Sequence, residues 1–278
     1  MKRLRWILLL ALAAGFFLIY SPDSGNLAVV KITGGIFEPD PVVRRLELLR
    51  KEEKVKAVVL RVDSPGGTVG ASQEIHEAVK KLRESKKVVA SFGSVAASGG
   101  YYLALPSHKI FANAGTVTGS IGVRMEYVNM EELLRWAKIH PMTLKSGSLK
   151  DAGSSIRTMS PEEKAYLEEV LKKMHHQFMK AVAEGRALPA QKVEQIADGR
   201  IYTGEEAKEL GLIDEIGNLP LAIEVAARLA GIEGEPDVFY PSIDDRNWIE
   251  KVLGEAIDKI PPLGKSGQAV TGQFVYLY

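Results

Sequence analysis

The chain contains no cysteine among its 278 residues. This absence excludes a disulfide framework, a thiol nucleophile and cysteine-ligated zinc. The formal net charge is only +1, because 36 lysines and arginines nearly balance 35 aspartates and glutamates. Such a balance gives no indication of nucleic acid as a partner. No HExxH spacing occurs either, and neither a metal nor another cofactor is predicted.

Long apolar runs are also scarce, and the clearest lies at the amino terminus. Lys2, Arg3 and Arg5 precede fifteen uncharged residues at 6–20. The run is shorter than the roughly 20 residues of a comfortable spanning helix, so a cleaved signal peptide is one interpretation. Bulky residues at its end leave no small-residue cleavage site, which favours an uncleaved signal anchor over residues 1–24. The basic residues keep that end in the cytoplasm, which predicts a single-pass cell-membrane protein with the remaining chain outside the cytoplasm.

After the anchor, apolar strand-like segments alternate with helical ones. Strands are predicted at 27–32, 58–62, 88–90 and 110–111. Helices are predicted at 41–50, 72–83, 161–184, 189–197, 203–211, 219–229 and 245–260. The alternation predicts right-handed crossovers and an α/β fold with a mainly parallel sheet and flanking helices. One domain is predicted over residues 25–262, followed by a flexible tail at 263–278.

Ser98 stands where the strand at 88–90 leads into a predicted helix at 101–105. A serine at such an elbow exposes its hydroxyl at the carboxyl end of a sheet, near the positive end of the helix dipole. The N–H of Gly99 is then free to point at an oxyanion. The residues alone leave a second interpretation open, in which Ser98 is only a helix N-cap.

A second glycine-rich loop, DSPGG at 63–67, follows the strand at 58–62. Pro65 fixes one φ, while Gly66 and Gly67 let a substrate approach the backbone closely. Adjacent N–H groups in such a turn form an anion nest, so Gly67 is a candidate oxyanion donor beside Gly99. An ordinary tight turn is the alternative.

The group that would activate Ser98 is not a histidine, since none of the five is suitably placed. No GxSxG elbow is present, because Ala96 stands two residues before the serine. Lysines remain, and the segment KSGSLKDAG at 145–153 follows a predicted strand at 142–144. A lysine acts as a general base only if burial lowers its pKa from about 10.4 towards neutrality. A solvated loop lysine is the ordinary alternative.

Five ordered segments carry a resemblance to a known family. They are DSPGG at 63–67, GSVAASGGYY at 93–102, TGSIGV at 118–123, SGSLKDAG at 146–153 and ADGRIYTGEEA at 197–207. Together they resemble the membrane-anchored signal peptide peptidases of the SppA type, a Ser-Lys serine peptidase family, in its short single-repeat form. The similarity covers residues 27–260 and implies a Clp-protease/crotonase-like fold.

The resemblance assigns roles to particular residues. It implies that Ser98 is the nucleophile, Lys150 the general base, and Gly67 and Gly99 the oxyanion donors. Ser120 would hydrogen-bond the lysine amine and orient it. In the short form neighbouring protomers complete the dyad, which implies a homo-oligomer with shared active sites.

The implied substrates are apolar peptides, above all signal peptide remnants at the bilayer. An extended substrate is expected to pair as an added strand along the glycine loops. Val69, Val117 and Ile121 line either a substrate pocket or the core. Two other functions stay open: a crotonase-like acyl-CoA enzyme, which would not need Ser98 or Lys150, and a non-catalytic membrane scaffold.

Overall fold

The computed structural model describes residues 25–241 and 275–277. The predicted anchor at 1–24 and the predicted helix at 245–260 lie outside these residues. Within the described ranges, no helix combines the length and the apolarity needed to cross a bilayer.

Strands and helices alternate along the described part of the chain, as the sequence predicts. The strands are β1 (Leu27–Ile36), β2 (Ala57–Thr68), β3 (Lys87–Ala97), β4 (Lys109–Ala112), β5 (Val117–Gly119), β6 (Ile201–Tyr202), β7 (Glu215–Ile216), β8 (Val238–Phe239) and β9 (Val275–Leu277). The helices are α1 (Asp40–Lys51), α2 (Val69–Arg83), α3 (Gly99–Ala104), α4 (Glu131–Trp136), α5 (Pro161–Arg186), α6 (Ala190–Ile196), α7 (Gly204–Leu210) and α8 (Leu219–Leu229).

The sheet is mainly parallel, which confirms the predicted α/β architecture. Its main path runs β6-β5-β3-β2-β1-β8, with β4 beside β3, β7 beside β4 and β9 beside β2. Among the described pairs, β5 with β6 and β2 with β9 are antiparallel and the others are parallel. Parallel strands place their carboxyl ends at one edge, which is where ligands bind in such sheets.

Both faces of the central sheet are covered. Val58, Leu60 and Val62 of β2 belong to a large apolar cluster with residues of α1, α2, α3 and α5. Val59, on the opposite face, belongs to a second cluster that includes Ala222 of α8. Continuous apolar runs such as that of β2 are typical of parallel strands buried on both sides.

Strands β2 and β3 continue beyond their predicted ends. The ladder shifts register between Val62 and Ser64, and β2 then runs on to Thr68 while β3 runs on to Ala97. The residues after each apolar run are small and polar, and they pair in an irregular ladder instead of forming free loops. Both glycine-rich segments are therefore held as strand extensions at the carboxyl edge.

The predicted strand at 142–144 is wrong. This stretch has no strand pairing, and Met142 and Leu144 are 87% and 92% exposed. Its alternation of apolar residues suits a strand, but nothing within the described chain lies beside it to complete a ladder. In contrast, the capping boxes predicted at the starts of α5 and α7 are confirmed, as is the left-handed Gly211 that ends α7.

Candidate active site

Ser98 lies at a strained elbow between β3 and α3. Its φ is 54° and its ψ is −117°, outside the regions that L-residues prefer. Strain of this kind costs about 1–3 kcal/mol and persists only where neighbouring structure enforces it. Two backbone bonds enforce it here: Ser98 N–H donates to Gly119 (2.8 Å), and Tyr102 N–H donates to the Ser98 carbonyl (2.8 Å).

The expectation that the elbow exposes the Ser98 hydroxyl is wrong for this structure, because the residue is fully buried; the hydroxyl nevertheless has no hydrogen-bond partner in the described part of the chain. Ser98 occupies the N-cap position of α3, as the second interpretation expects, but its side chain makes no cap bond to the helix. Leaving a buried hydroxyl unpaired costs about 1–3 kcal/mol. Among the described residues, nothing offsets that cost for the Ser98 oxygen.

Gly67 and Gly99 come together because neither carries a side chain. A Cβ on Gly99 would stand 2.3 Å from Ser72 Oγ and 3.2 Å from Gly67 N. A Cβ on Gly67 would stand 1.8 Å from the Ile36 carbonyl oxygen. Gly99 is also the first residue of α3, where backbone N–H groups have no intrahelical acceptor. The two backbone segments thus converge next to Ser98.

Three polar side chains hold this loop, and the sequence analysis assigned them no role. Ser64 Oγ donates to the Gly34 carbonyl (2.6 Å) and accepts from Gly66 N–H (3.1 Å). Ser72 Oγ donates to the Thr68 carbonyl (2.9 Å), and Asp63 Oδ1 accepts from Val95 N–H (3.0 Å). The sequence signal that could have identified Ser64 is its position two residues before Gly66, a spacing at which a serine hydroxyl bonds to nearby backbone.

Ser120 lies beside the elbow, because Gly119 of β5 pairs with Ala97 of β3 in the sheet register. Ser120 has a φ of 50° and is buried, and its N–H donates to the Arg200 carbonyl (2.8 Å). The structure thus brings Ser98, Gly67, Gly99 and Ser120 to one edge.

Lys150 is not part of this group in the single chain. It is exposed, on a turn whose backbone bond runs from Lys150 N–H to the Gly147 carbonyl (3.1 Å). Because Ser98 Oγ has no partner among the described residues, no bond joins it to Lys150 Nζ.

Lys150 belongs to a long excursion between β5 and α5, here called the arm (residues 124–158). Its surface is rich in exposed apolar side chains, with Trp136 82% exposed and Val128, Leu133 and Ile139 each more than half exposed. These exposed apolar side chains lie on the same segment as the lysine.

The arm is held by ionic bonds that centre on Arg157. This guanidinium contacts both Asp151 and Glu163, and Lys145 Nζ lies 2.6 Å from Asp151 Oδ1. The contact with Arg157, aided by the Ser160 N–H, lowers the pKa of Glu163 to about 2. Arg157 and then Lys145 hold the pKa of Asp151 well below its usual range. These carboxylates are ionised throughout the neutral range.

A cavity of about 560 Å³ lies at the end of β1, close to the glycine loop. Ile36 and Phe37 line it, and Ile36 pairs with Gly67 in the ladder. Val69 and Ile121, expected at a pocket or in the core, are both buried in the core, and Val117 is half-buried. The space next to the loop is therefore lined by the end of β1 and the residues that follow it, with both polar and apolar side chains.

The edge of β2 at the glycine loop already carries an extended strand. Residues 275–277, within the predicted tail, form β9 and pair antiparallel with β2, placing Gly66, Gly67 and Thr68 opposite Leu277, Tyr276 and Val275. β9 also contacts α2 and α3. This edge therefore accepts a peptide in extended form.

Comparison with known families gives two overlapping matches. The model of peptidase family S49 matches residues 80–233, and the Clp protease model matches residues 37–114. The second match confirms the expected Clp-protease-like fold.

Several relatives align over most of the chain. One relative, from Synechocystis sp., carries the protease name slr0021. It is 44% identical over 231 residues, which are 82% of this chain and 83% of the relative. The chloroplastic serine protease SPPA of Arabidopsis thaliana is 35% identical over 200 residues, 72% of this chain and 30% of that protein. Protease 4 of Salmonella typhi is 32% identical over 257 residues, 86% of this chain and 41% of that protein. The chain thus spans less than half of the last two.

The close packing of Gly67 against β1 generates a stability prediction. Gly67→Ala should lower the free energy of unfolding by about 1–3 kcal/mol, because its Cβ would overlap the backbone of Ile36, which is fixed in the β1–β2 ladder. The matched control is Gly70→Ala, where no atom lies within 4 Å of the added Cβ. That variant, in the first turn of α2, should change stability by less than about 1 kcal/mol. Urea unfolding measures both, and equal midpoints would contradict the close approach of Gly67 to Ile36.

Proposed function

Since the chain belongs to peptidase family S49 and is a serine endopeptidase, we propose that Ser98 is its nucleophile and Lys150 its general base. The observation that carries this proposal is the Ser98 hydroxyl: buried, unpaired and strained, beside two converging glycine backbones. A nucleophilic serine needs a base within hydrogen-bond reach, and no group of the described single chain occupies that place.

In the proposed mechanism, the neutral amine of Lys150 accepts the Ser98 proton while Oγ bonds to the substrate carbonyl carbon. The carbonyl electron pair moves onto its oxygen, which forms a tetrahedral oxyanion. As this intermediate collapses, the C–N bond breaks and the ammonium returns the proton to the leaving amine. Water, deprotonated by the same amine, then hydrolyses the ester, releasing the carboxylic acid and Ser98.

The oxyanion is proposed to lie between the N–H groups of Gly67 and Gly99. Donors fixed in advance stabilise charge that develops only in the transition state, and losing one typically costs about 2.7–4 kcal/mol of barrier. Ser120, which lies beside Ser98 in the sheet register, is proposed to accept a hydrogen bond from the lysine amine and orient it.

The dyad is proposed to form between subunits of a homo-oligomer. The Ser98 hydroxyl lacks a partner among the residues that the structure describes, while Lys150 is exposed on the apolar arm. Docking that arm against a second copy would cover its apolar surface and bring Lys150 of the partner subunit to Ser98. The amine would lose water on assembly, which favours its neutral form.

Apolar peptides such as signal peptide remnants are the proposed substrates. The edge of β2 accepts an antiparallel strand, and the cavity beside Ile36 and Phe37 offers space for an apolar side chain. Peptide recognition by strand addition takes affinity from backbone bonds and selectivity from such pockets.

The site is also proposed to lie outside the cytoplasm, held at the cell membrane by the anchor at residues 1–24. Support comes from the basic residues ahead of the apolar run. Membership of the peptidase family argues against the two other functions considered from the sequence, an acyl-CoA enzyme and a non-catalytic scaffold.

A serine-reactive phosphonate tests the dyad directly. The wild-type assembly should gain one adduct at Ser98, and Ser98→Ala should gain none and lose at least about 10⁴-fold in kcat for an apolar peptide. Lys150→Ala should lose about 10²–10⁴-fold in both labelling rate and kcat. Mass spectrometry of the labelled peptides and steady-state kinetics are the measurements.

Two controls separate this chemistry from general damage. Ser107→Ala removes another buried hydroxyl without a partner in the described residues, and Lys164→Ala removes an exposed lysine of α5. Both should label and cleave as the wild type does. An adduct on a different residue, or full activity in Lys150→Ala, would contradict the assignment.

Subunit mixing tests the shared site. Ser98→Ala and Lys150→Ala chains are each inactive, but a co-assembled equal mixture pairs an intact serine with an intact lysine at about one interface in four. The mixture should therefore recover about a quarter of wild-type activity, measured after co-expression and purification. An inactive mixture in which both chains are shown to co-assemble would place the dyad within one chain.

The pairing of β9 with β2 predicts competition at the substrate edge. Deleting residues 274–278 should lower KM for a peptide substrate about two- to tenfold and leave kcat unchanged, because the edge no longer has an internal occupant. The free peptide FVYLY should then inhibit the truncated enzyme competitively. Its backbone N-methylated form, which cannot donate to a ladder, should not. An unchanged KM together with no inhibition would show that β9 and substrate use different places.

A further inference from the structure

The residue that follows Lys150 is a carboxylate, and its position raises a chemical problem. A carboxylate within about 4–6 Å of a general-base lysine favours the ammonium form and holds the proton on it. In this structure both Asp151 oxygens are already engaged. Arg157 Nε lies 2.8 Å from Oδ2 and its Nη2 2.8 Å from Oδ1, while Lys145 Nζ lies 2.6 Å from Oδ1.

Arg157 also joins the lysine turn to the start of α5. Its Nη1 lies 2.9 Å from Glu163 Oε2, and its Nη2 contacts Glu163 Oε1. Glu163 is the third residue of α5, closes the capping box with Ser160, and has a side chain only 5% exposed. The Arg157 guanidinium therefore connects the loop that carries Lys150, which lies outside any helix or strand, to the amino-terminal turn of α5, a helix of 26 residues.

The backbone of the turn is held by the same side chain. Arg157 Nη2 donates to the Asp151 carbonyl (3.2 Å), which also accepts from Ser154 N–H (3.0 Å). With Lys150 N–H bonded to Gly147, both sides of the lysine are fixed. A side chain on such a turn projects in a defined direction.

We propose that Arg157 is a positioning residue for the peptidase reaction: it engages Asp151, so that this carboxylate cannot pair with the Lys150 amine, and it fixes the lysine turn on α5. The inference rests on the proposed role of Lys150 as general base. The charged groups that face Asp151 are Lys145 and Arg157 from the arm, with Glu163 behind Arg157 on α5. Two cations and two carboxylates balance, which leaves Lys150 outside the network.

The test is the pH dependence of kcat/KM in the full assembly. In Arg157→Met, Asp151 loses its bidentate partner and becomes available to the Lys150 ammonium. The acidic limb should move to higher pH by about half to one unit, with a three- to tenfold loss of activity below the limb. The plateau at higher pH should stay within about threefold of the wild type, because the amine is neutral there in both proteins.

The double variant Arg157→Met/Asp151→Asn supplies the decisive readout. It removes the competing carboxylate, so its acidic limb should return to the wild-type position, a rescue that a purely structural role would not produce. Arg135→Met is the matched control, since Arg135 pairs with exposed Glu131 and Glu132 of the same arm. Its pH profile should equal that of the wild type. If Arg157→Met does not assemble, Lys145→Met removes the other cation on Asp151 and should move the limb in the same direction.

The outcomes separate the two proposals. Full activity in Lys150→Ala refutes the proposed function itself. If Lys150→Ala is inactive and the acidic limb of kcat/KM stays at the wild-type pH in both Arg157→Met and Lys145→Met, only the role of Arg157 is overturned. A moved limb that the added Asp151→Asn change fails to restore overturns it as well.

Discussion

The close approach of two glycine backbones, at Gly67 and Gly99, is the constraint on which the rest of the site depends. A Cβ on Gly99 would stand 3.2 Å from Gly67 N, and a Cβ on Gly67 would overlap the backbone of Ile36, so the end of β2 packs closely against both the start of α3 and the end of β1. Ser64 and Ser72 hold the loop in that place through bonds to its carbonyl and N–H groups. The strained φ of Ser98 follows, because the chain must turn within one residue from β3 into a helix already seated against β2. A sheet with both faces covered supplies the rigidity that tolerates this strain.

The arm reverses the usual arrangement of polar and apolar groups. Its internal bonds are ionic and centre on Arg157, whereas many of its apolar side chains, Trp136 foremost, face outward. A segment built in this way is held by polar contacts and leaves many of its apolar side chains on the surface. The body of the protein shows the opposite pattern, with aliphatic residues inside. The serine and the lysine thus lie on two parts of one chain that follow different rules.

The sequence predicted the sheet body well, because apolar runs such as that of β2 leave little choice once both faces are buried. It placed the serine correctly at an elbow, since small residues between a strand and a helix allow few other conformations. It missed the continuation of β2 through DSPGG, where Asp63 and Ser64 interrupt the apolar pattern although their side chains stabilise the strand end. The sequence wrongly predicted a strand at residues 142–144. Alternating apolar residues indicate a surface that another group covers, but they do not indicate which group covers it. The place of Lys150 relative to Ser98 lay beyond the reach of local pattern for the same reason.

The antiparallel pairing of β9 with β2 has a consequence for how the sequence preference of a peptide bound in that place would be described. Side chains of an extended chain alternate between two sides, so any peptide lying in that place shows only every second residue to the enzyme. It is also oriented, with its amino and carboxyl ends assigned before the bond is cut. Selectivity of this kind would depend on the direction of the peptide and on which side chains face the enzyme. Segments of unrelated sequence would then bind equally well, provided that their alternate residues are apolar.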